Sequence, residues 1–276
     1  MVYCLYETGE KGELHPMEAR ILAIGDVVAK SGLELVSRKL RSVKKLTGAD
    51  FIVVNGENAS GVGITPRQAE QIMDAGADAV TLGNHAFQKA EIFDLLDDAP
   101  WLLRPHNYAP QAPGFGWRVL EAPFGPVLLM NLIGRCDMDF GPDNPFAAAD
   151  RILKETEEKA AVRLLDFHAE ATSEKLAMGW YLDGRVSAVW GTHTHVQTSD
   201  HRVLPGGTGY ITDLGMTGPR DSVLGIDPKQ SIRMFLGYPR EKYTAAPGPV
   251  KLEGAVFTVD TQSGRCLEVR PVNLEE

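Results

Sequence analysis

Arg20-Ile-Leu-Ala-Ile-Gly25-Asp26 is a short apolar run stopped by glycine and followed at once by a carboxylate. It is too short for a helix and predicts a buried strand. The pattern recurs: Phe51–Val54 is a second run, closed by Asn55-Gly56, and Ala79–Leu82 is a third, closed by Gly83. Between the first two runs, Leu33, Val36, Leu40 and Val43 recur at helical spacing among Lys and Arg, so Leu33–Leu46 reads as a helix. Thr65-Pro66 supplies an N-cap and a first helical residue for a helix to about Ala75, and another helix follows over about Lys89–Asp97. Strands alternating with helices imply a parallel sheet with covering helices.

Farther on, Trp117–Ala122 and Pro126–Leu132 form a hairpin through Phe124-Gly125, before a loop rich in Gly, Pro and Asp from Gly134 to Pro145. Ala147–Ala160 and Ser173–Leu182 read as helices, and Val162–Phe167 and Val186–Trp190 as strands. The last third reads as strands at Tyr210–Asp213, Ile232–Leu236, Gly254–Val259 and Cys266–Pro271. No repeat or long linker divides the chain. Residues 1–18 read as an extension outside the core, and residues 19–276 as one α/β domain, in which two stacked sheets flanked by helices are one arrangement open to it.

With 276 residues, 43% hydrophobic and 24% charged, the chain can bury a sizeable core without disulfides or structural metal. Any metal site is therefore free for chemistry. The net charge of −9, with no run of Lys or Arg, argues against a large nucleic-acid surface. A small anionic substrate stays open, since metal ions bring their own positive charge. Cys4, Cys136 and Cys266 are far apart with no CxxC and read as free thiols. No apolar stretch approaches the ~18 residues of a membrane span, and the polar N-terminus carries no signal pattern, so a cytoplasmic location is expected.

The informative residues follow the strands: Asp26 after the first, Glu57 and Asn58 after the second, and Asn84 and His85 after the third. His168 follows Val162–Phe167, and His193-Thr-His195 follows Val186–Trp190. Parallel strands deliver their C-terminal ends to one edge, where α/β proteins place ligands. Singly, each residue has a plainer reading: Asn beside Gly as a turn, a lone His as a surface or core residue, Glu57 as a surface charge. Together, imidazoles, carboxylates and amide oxygens suit a pair of Fe, Mn or Zn ions. Glu57 is the best candidate to bridge ions about 3.5–4 Å apart, which would clamp a phosphate and lower the pKa of a bound water to about 7. His193 and His195, two apart, share one face of an extended segment. His106 and His201 read as non-catalytic. Arg135 reads equally as a phosphate fork or as a surface ion pair.

Gly25-Asp26, Gly56-Glu57-Asn58, Gly83-Asn84-His85, His168 and Gly191-Thr-His193-Thr-His195 occur in the order of the calcineurin-like metallophosphoesterase superfamily's motifs. Val28 stands where that pattern has a histidine, and Glu57 where it has a bridging Asp. These departures, with Gly63-Ile-Thr-Pro66, Asp166-Phe-His168-Ala-Glu170-Ala-Thr-Ser-Glu174-Lys175 and Asp213-Leu-Gly-Met-Thr-Gly-Pro219, resemble the bacterial YmdB-like phosphodiesterases.

The resemblance implies a four-layer sandwich of two mixed sheets with helices outside. It implies one ion on Asp26, Glu57, Asn58 and His195, another on Glu57, Asn84, His168 and His193, and His85 as proton donor to the leaving oxygen. It also implies iron or manganese, hydrolysis of phosphodiesters including cyclic nucleotides, and a homo-oligomer, dimer or tetramer.

The expected reaction is in-line attack on a small phosphodiester, with 2′,3′-cyclic nucleotides among the candidates, by metal-bound hydroxide. A metal-stabilised regulatory scaffold and a hydrolase of monoesters or amides are the rival readings. No G-x-G-x-x-G follows the first strand, which disfavours a dinucleotide enzyme.

Overall fold

The computed structural model describes residues 18–138, 141–157, 159–239 and 241–276. The expected N-terminal extension, residues 1–18, lies outside them except for Glu18, which opens the first strand. The chain begins β1 (Glu18–Ile24), β2 (Asp26–Val27), α1 (Ala29–Thr47), β3 (Phe51–Asn55), α2 (Pro66–Asp74) and β4 (Ala79–Thr81). A 3-10 turn (Ala90–Ile92), α3 (Phe93–Asp98) and β5 (Leu102–Leu103) complete this half. Next come β6 (Trp117–Ala122), β7 (Gly125–Ile133), α4 (Pro145–Glu155), β8 (Val162–His168), α5 (Thr172–Leu182) and β9 (Ala188–Thr192). The end of the chain holds β10 (Arg202–Val203), β11 (Gly209–Ile211), β12 (Met216–Pro219), α6 (Pro228–Phe235), β13 (Val250–Asp260) and β14 (Cys266–Glu275).

Local chemistry sets the boundaries. Thr65 and Gln68 form a reciprocal capping box at the start of α2, with Pro66 in the first turn. Gly48, in the left-handed region at φ 68°, ends α1 by donating to the Lys44 carbonyl. Leu33, Val36, Leu40 and Val43 all face inward from α1; burying each such side chain contributes about 1.5–3 kcal/mol.

Two mixed sheets result. One runs β2-β12-β13-β1-β3-β4-β5, with β14 beside β13; the other runs β10-β11-β9-β8-β7-β6. Ile21, Phe51, Val53 and Phe257 of the first meet Leu129, Leu164, Trp190 and Ile211 of the second in one apolar layer. α1, α2 and α3 cover the outer face of the first sheet, and α4 and α5 that of the second. The expected four-layer sandwich is therefore borne out.

Two segments differ from expectation. Ile232–Leu236, read as a strand, belongs to α6 and its cap: Pro228 opens the helix and the Asp227 side chain accepts from Lys229 N. Ile232, Phe235 and Leu236 are 55%, 80% and 70% exposed, so their apolarity marks surface rather than a sheet interior. The expected Lys89–Asp97 helix divides into the 3-10 turn and α3.

Candidate metal centre

β1, β3 and β4 run parallel in the first sheet, and β7, β8, β9 and β11 run parallel in the second. Their C-terminal ends open on one edge. In register, Asn55 faces Thr81 and His168 faces Thr192, so the residues just beyond these pairs converge between the sheets. Asp26, Glu57 and His168 are fully buried there. Gly83 matters because a Cβ at this position would collide with Glu57 Oε2 and His168 Nε2.

A hydroxyl fixes the His168 tautomer. Thr192 Oγ1 donates to Asp166 Oδ1 at 2.7 Å, so it must accept from His168 Nδ1, 2.9 Å away. In the neutral ring Nε2 then carries a lone pair. That lone pair faces Asn84 Oδ1 at 2.9 Å, His193 Nδ1 at 3.0 Å and Glu57 Oε1 at 3.3 Å. A bound cation or a proton on Nε2 reconciles these contacts, and Glu57, His168 and His193 offer three ligand atoms within 4.8 Å of one another.

A second group adjoins it. His195 Nε2 is 3.7 Å from Asp26 Oδ1 and 3.3 Å from Asn58 Nδ2, which also lies 2.9 Å from Glu57 Oε1. Asp26 Oδ1 is buried without a hydrogen-bond partner. Donor types, an orphaned carboxylate oxygen and the convergence on Glu57 all fit metal binding at this edge. Asn58 presents its amide nitrogen to this group and its Oδ1 to His85 Nδ1 at 3.0 Å, so a ligating oxygen requires the amide turned over.

Burial and crowding shift these groups. Burial pushes Asp26 up to about 6, against His195 and His168. Burial would also raise Glu57, but His168 and His85 outweigh it and hold this carboxyl well below the usual range. Burial would lower His168, but Glu57 and Asp26 raise it to about 9. Burial, with His168 beside it, pushes His193 down to about 3.

The loop carrying the last two histidines is held open. His193 and His195 have φ of 97° and 62°, left-handed values that cost an L-residue about 1–2 kcal/mol each. Between them Thr194 donates through N (3.2 Å) and Oγ1 (2.7 Å) to Asp213 Oδ2, which also takes Lys175 Nζ at 2.7 Å.

All eight sequence-predicted residues thus lie in one region, with His85 beside both groups. A cleft of about 820 Å³ opens there, lined by Glu57, Asn58, His85, His193 and His195. Arg135, His106 and His201 do not line it.

Residue types alone left several contributors unmarked. Asp166 accepts from Thr81, Asn55 and Thr192, three donors behind His168. Its signal was the Asp166-Phe-His168 spacing, which puts both side chains on one face of β8. Glu170 Oε2 reaches His193 Nε2 at 3.1 Å.

This sandwich, with its histidines, carboxylates and amides at the strand ends, is the metallophosphoesterase fold. More particularly, the sequence profile of the YmdB-like protein family matches residues 22–272, and the chain belongs to that family. It is 44% identical over 260 residues to a 2′,3′-cyclic-nucleotide 2′-phosphodiesterase of Bacillus subtilis (strain 168), covering 93% of this chain and 97% of that protein. A hypothetical protein from Thermus thermophilus superposes with a TM-score of 0.86 at 41% identity, covering 93% of this chain and 99% of the other. A structure described as a novel phosphatase from Mycoplasma pneumoniae superposes at 0.87 with 32% identity, covering 94% of each chain. No helix among the described residues is long and apolar enough to cross a membrane.

Proposed function

We propose that this chain is a metal-dependent phosphoric diester hydrolase whose substrates are 2′,3′-cyclic nucleotides. One observation carries the metal centre: Asn84 Oδ1, His193 Nδ1 and Glu57 Oε1, all atoms of metal-ligand type, converge within 3.3 Å of His168 Nε2. The 44% identity to the Bacillus subtilis enzyme supports the substrate class. Asp26, Glu57, Asn58 and His195 would hold one ion, iron or manganese, and Glu57, Asn84, His168 and His193 the other. Bound there, the ions supply positive charge for the phosphoryl oxygens and a more acidic water.

The chain's own residues do the rest. Asp166 and Thr192 keep His168 in one tautomer, and Asp213 keeps the two loop histidines in place. His85 lines the cleft with its side chain 28% exposed, and it gives a proton to the departing alkoxide oxygen.

The test is hydrolysis of a 2′,3′-cyclic nucleotide by metal-stripped protein, by protein reloaded with manganese or iron, and by reloaded His85→Ala. Activity should appear only on reloading and fall by roughly 10²-fold or more in the variant, as loss of a general acid predicts. The reading fails for diesters if the protein binds about two ions, as a two-metal site requires, yet cleaves nothing.

A further inference from the structure

Beside the candidate ligands, the cleft has an apolar part. Val28, Val62, Leu224, Ile226 and Tyr243 line it there, and Val62, Leu224 and Tyr243 are 37%, 46% and 51% exposed. Val28, where the superfamily pattern has a ligand histidine, instead packs against Gly225, where a Cβ would meet Val28 Cγ1 at 2.5 Å.

Tyr243 lines the cleft while its hydroxyl donates to Met234 Sδ of α6 at 3.7 Å, and its backbone is fixed. The Gln230 side chain donates to Lys242 O at 2.7 Å and accepts from Thr244 N at 2.9 Å, so one amide grips the backbone on both sides of the tyrosine. Ile226 and Ala245 pair antiparallel, with Asp227 N on Thr244 O and Ala246 N on Gly225 O, each at 3.0 Å. The same strap reaches the metal centre, because Leu224 O accepts from His195 Nδ1 at 3.2 Å. One structural unit thus orients a candidate metal ligand and carries an aromatic residue that lines the same cleft.

A cyclic phosphodiester by itself would fill little of about 820 Å³. Ligand sites of this size enclose larger molecules, apolar along most of their lining and polar at a few points. An exposed, backbone-fixed aromatic ring is the chemistry that stacks on heteroaromatic rings, tolerantly of their identity.

We infer that the wall around Tyr243 is a nucleobase subsite, with Tyr243 stacking on the base of a nucleotide whose phosphate lies at the metal centre. This inference rests on the phosphodiesterase reading, and the experiment separates the two. Lys242 and Lys89 line the same cleft, together with the acidic Glu170 and Glu241.

The measurement is steady-state hydrolysis of 2′,3′-cyclic AMP and of glycerol 1,2-cyclic phosphate, which has the five-membered cyclic diester but no base. It compares manganese-loaded wild type, Tyr243→Phe and Tyr243→Ala. Tyr243→Ala should raise KM for cyclic AMP by about tenfold or more relative to KM for the glycerol compound, as loss of one stacked base predicts. Tyr243→Phe should keep the wild-type ratio, because the ring and not the hydroxyl makes the stack. A KM ratio unchanged in Tyr243→Ala overturns the subsite.

Calorimetric binding of 3′-AMP and glycerol 3-phosphate covers the remaining case. If neither cyclic diester is cleaved, the hydrolase reading falls. The base subsite then stands if 3′-AMP binds more tightly by a margin that Tyr243→Ala removes, and it is overturned if there is no such margin.

Discussion

Nδ1 of His168 lies 2.9 Å from the hydroxyl oxygen of Thr192, and that hydroxyl has only one way to point. Its proton goes to Asp166, so His168 Nδ1 carries a proton, and in the neutral ring Nε2 is the nitrogen left to ligate. Thr192→Val keeps the shape and removes the acceptor. Metal affinity should fall by about 10–100-fold, the usual effect of losing an outer-shell partner. Thr192→Ser should restore most of it. Titration calorimetry with manganese measures both, and an unchanged Thr192→Val affinity would show that the hydroxyl does not set the tautomer.

Lys175 and Asp213 form a buried pair, 1% and 0% exposed, beneath the Thr194 loop. Lys175→Met leaves a buried carboxylate without its cation and should cost about 3–5 kcal/mol in urea unfolding. Adding Asp213→Asn should recover part of the loss, since the amide carries no charge to bury. Additive losses in the double variant would count against coupling between the two groups.

Metal should stabilise the fold, because the ligands are distant in sequence and converge only in the native state. Manganese at a hundred times its dissociation constant should add about 2.7 kcal/mol, and chelator should remove it. Glu57→Gln should abolish most of this increment, since Glu57 Oε1 touches both ligand groups. Thermal unfolding with and without manganese reads the difference. An increment that survives Glu57→Gln would place the ions elsewhere.

Two cysteines should differ sharply toward alkylating reagents. Burial pushes the Cys266 thiol up to about 12, so its reactive thiolate is scarce throughout the neutral range and grows only as pH approaches that value. Mass spectrometry should find it labelled by iodoacetamide at pH 8 only in denaturant. Cys136 is exposed, and the neighbouring Glu174 carboxylate raises its pKa. Glu174→Gln should therefore speed its labelling at fixed pH.

Much of this was legible because parallel strands turn linear sequence into position. Glycine- or asparagine-terminated apolar runs marked strand ends with Asp26, Glu57, Asn84 and His193 just beyond them, and His168 closed the Val162–Phe167 run. Asp166 and Thr192 stand in the quoted motifs without a role, because they accept and donate at right angles to the chain, a relation that needs the β8–β9 register. The short strands β2 and β12 carry two and four residues and exist only through distant pairing, such as Met216 with Asp26. α6 was misread because Ile232, Phe235 and Leu236 suggested an interior, although Asp227-Pro228 is a helix start.

β1 lies between β3 and β13, with Glu18 opposite Asp260 and Ile24 opposite Gly254. A ribosome makes the first of these strands long before the last, at about 5–20 residues per second. Throughout that interval the middle of the larger sheet has an unpaired edge, open to any other extended segment. Every candidate ligand has left the ribosome's active site before β13 is made, so metal can meet its ligands while the sheet that aligns them is unfinished. The order of synthesis makes β13 the closing piece, and chains halted before it should be the ones that aggregate.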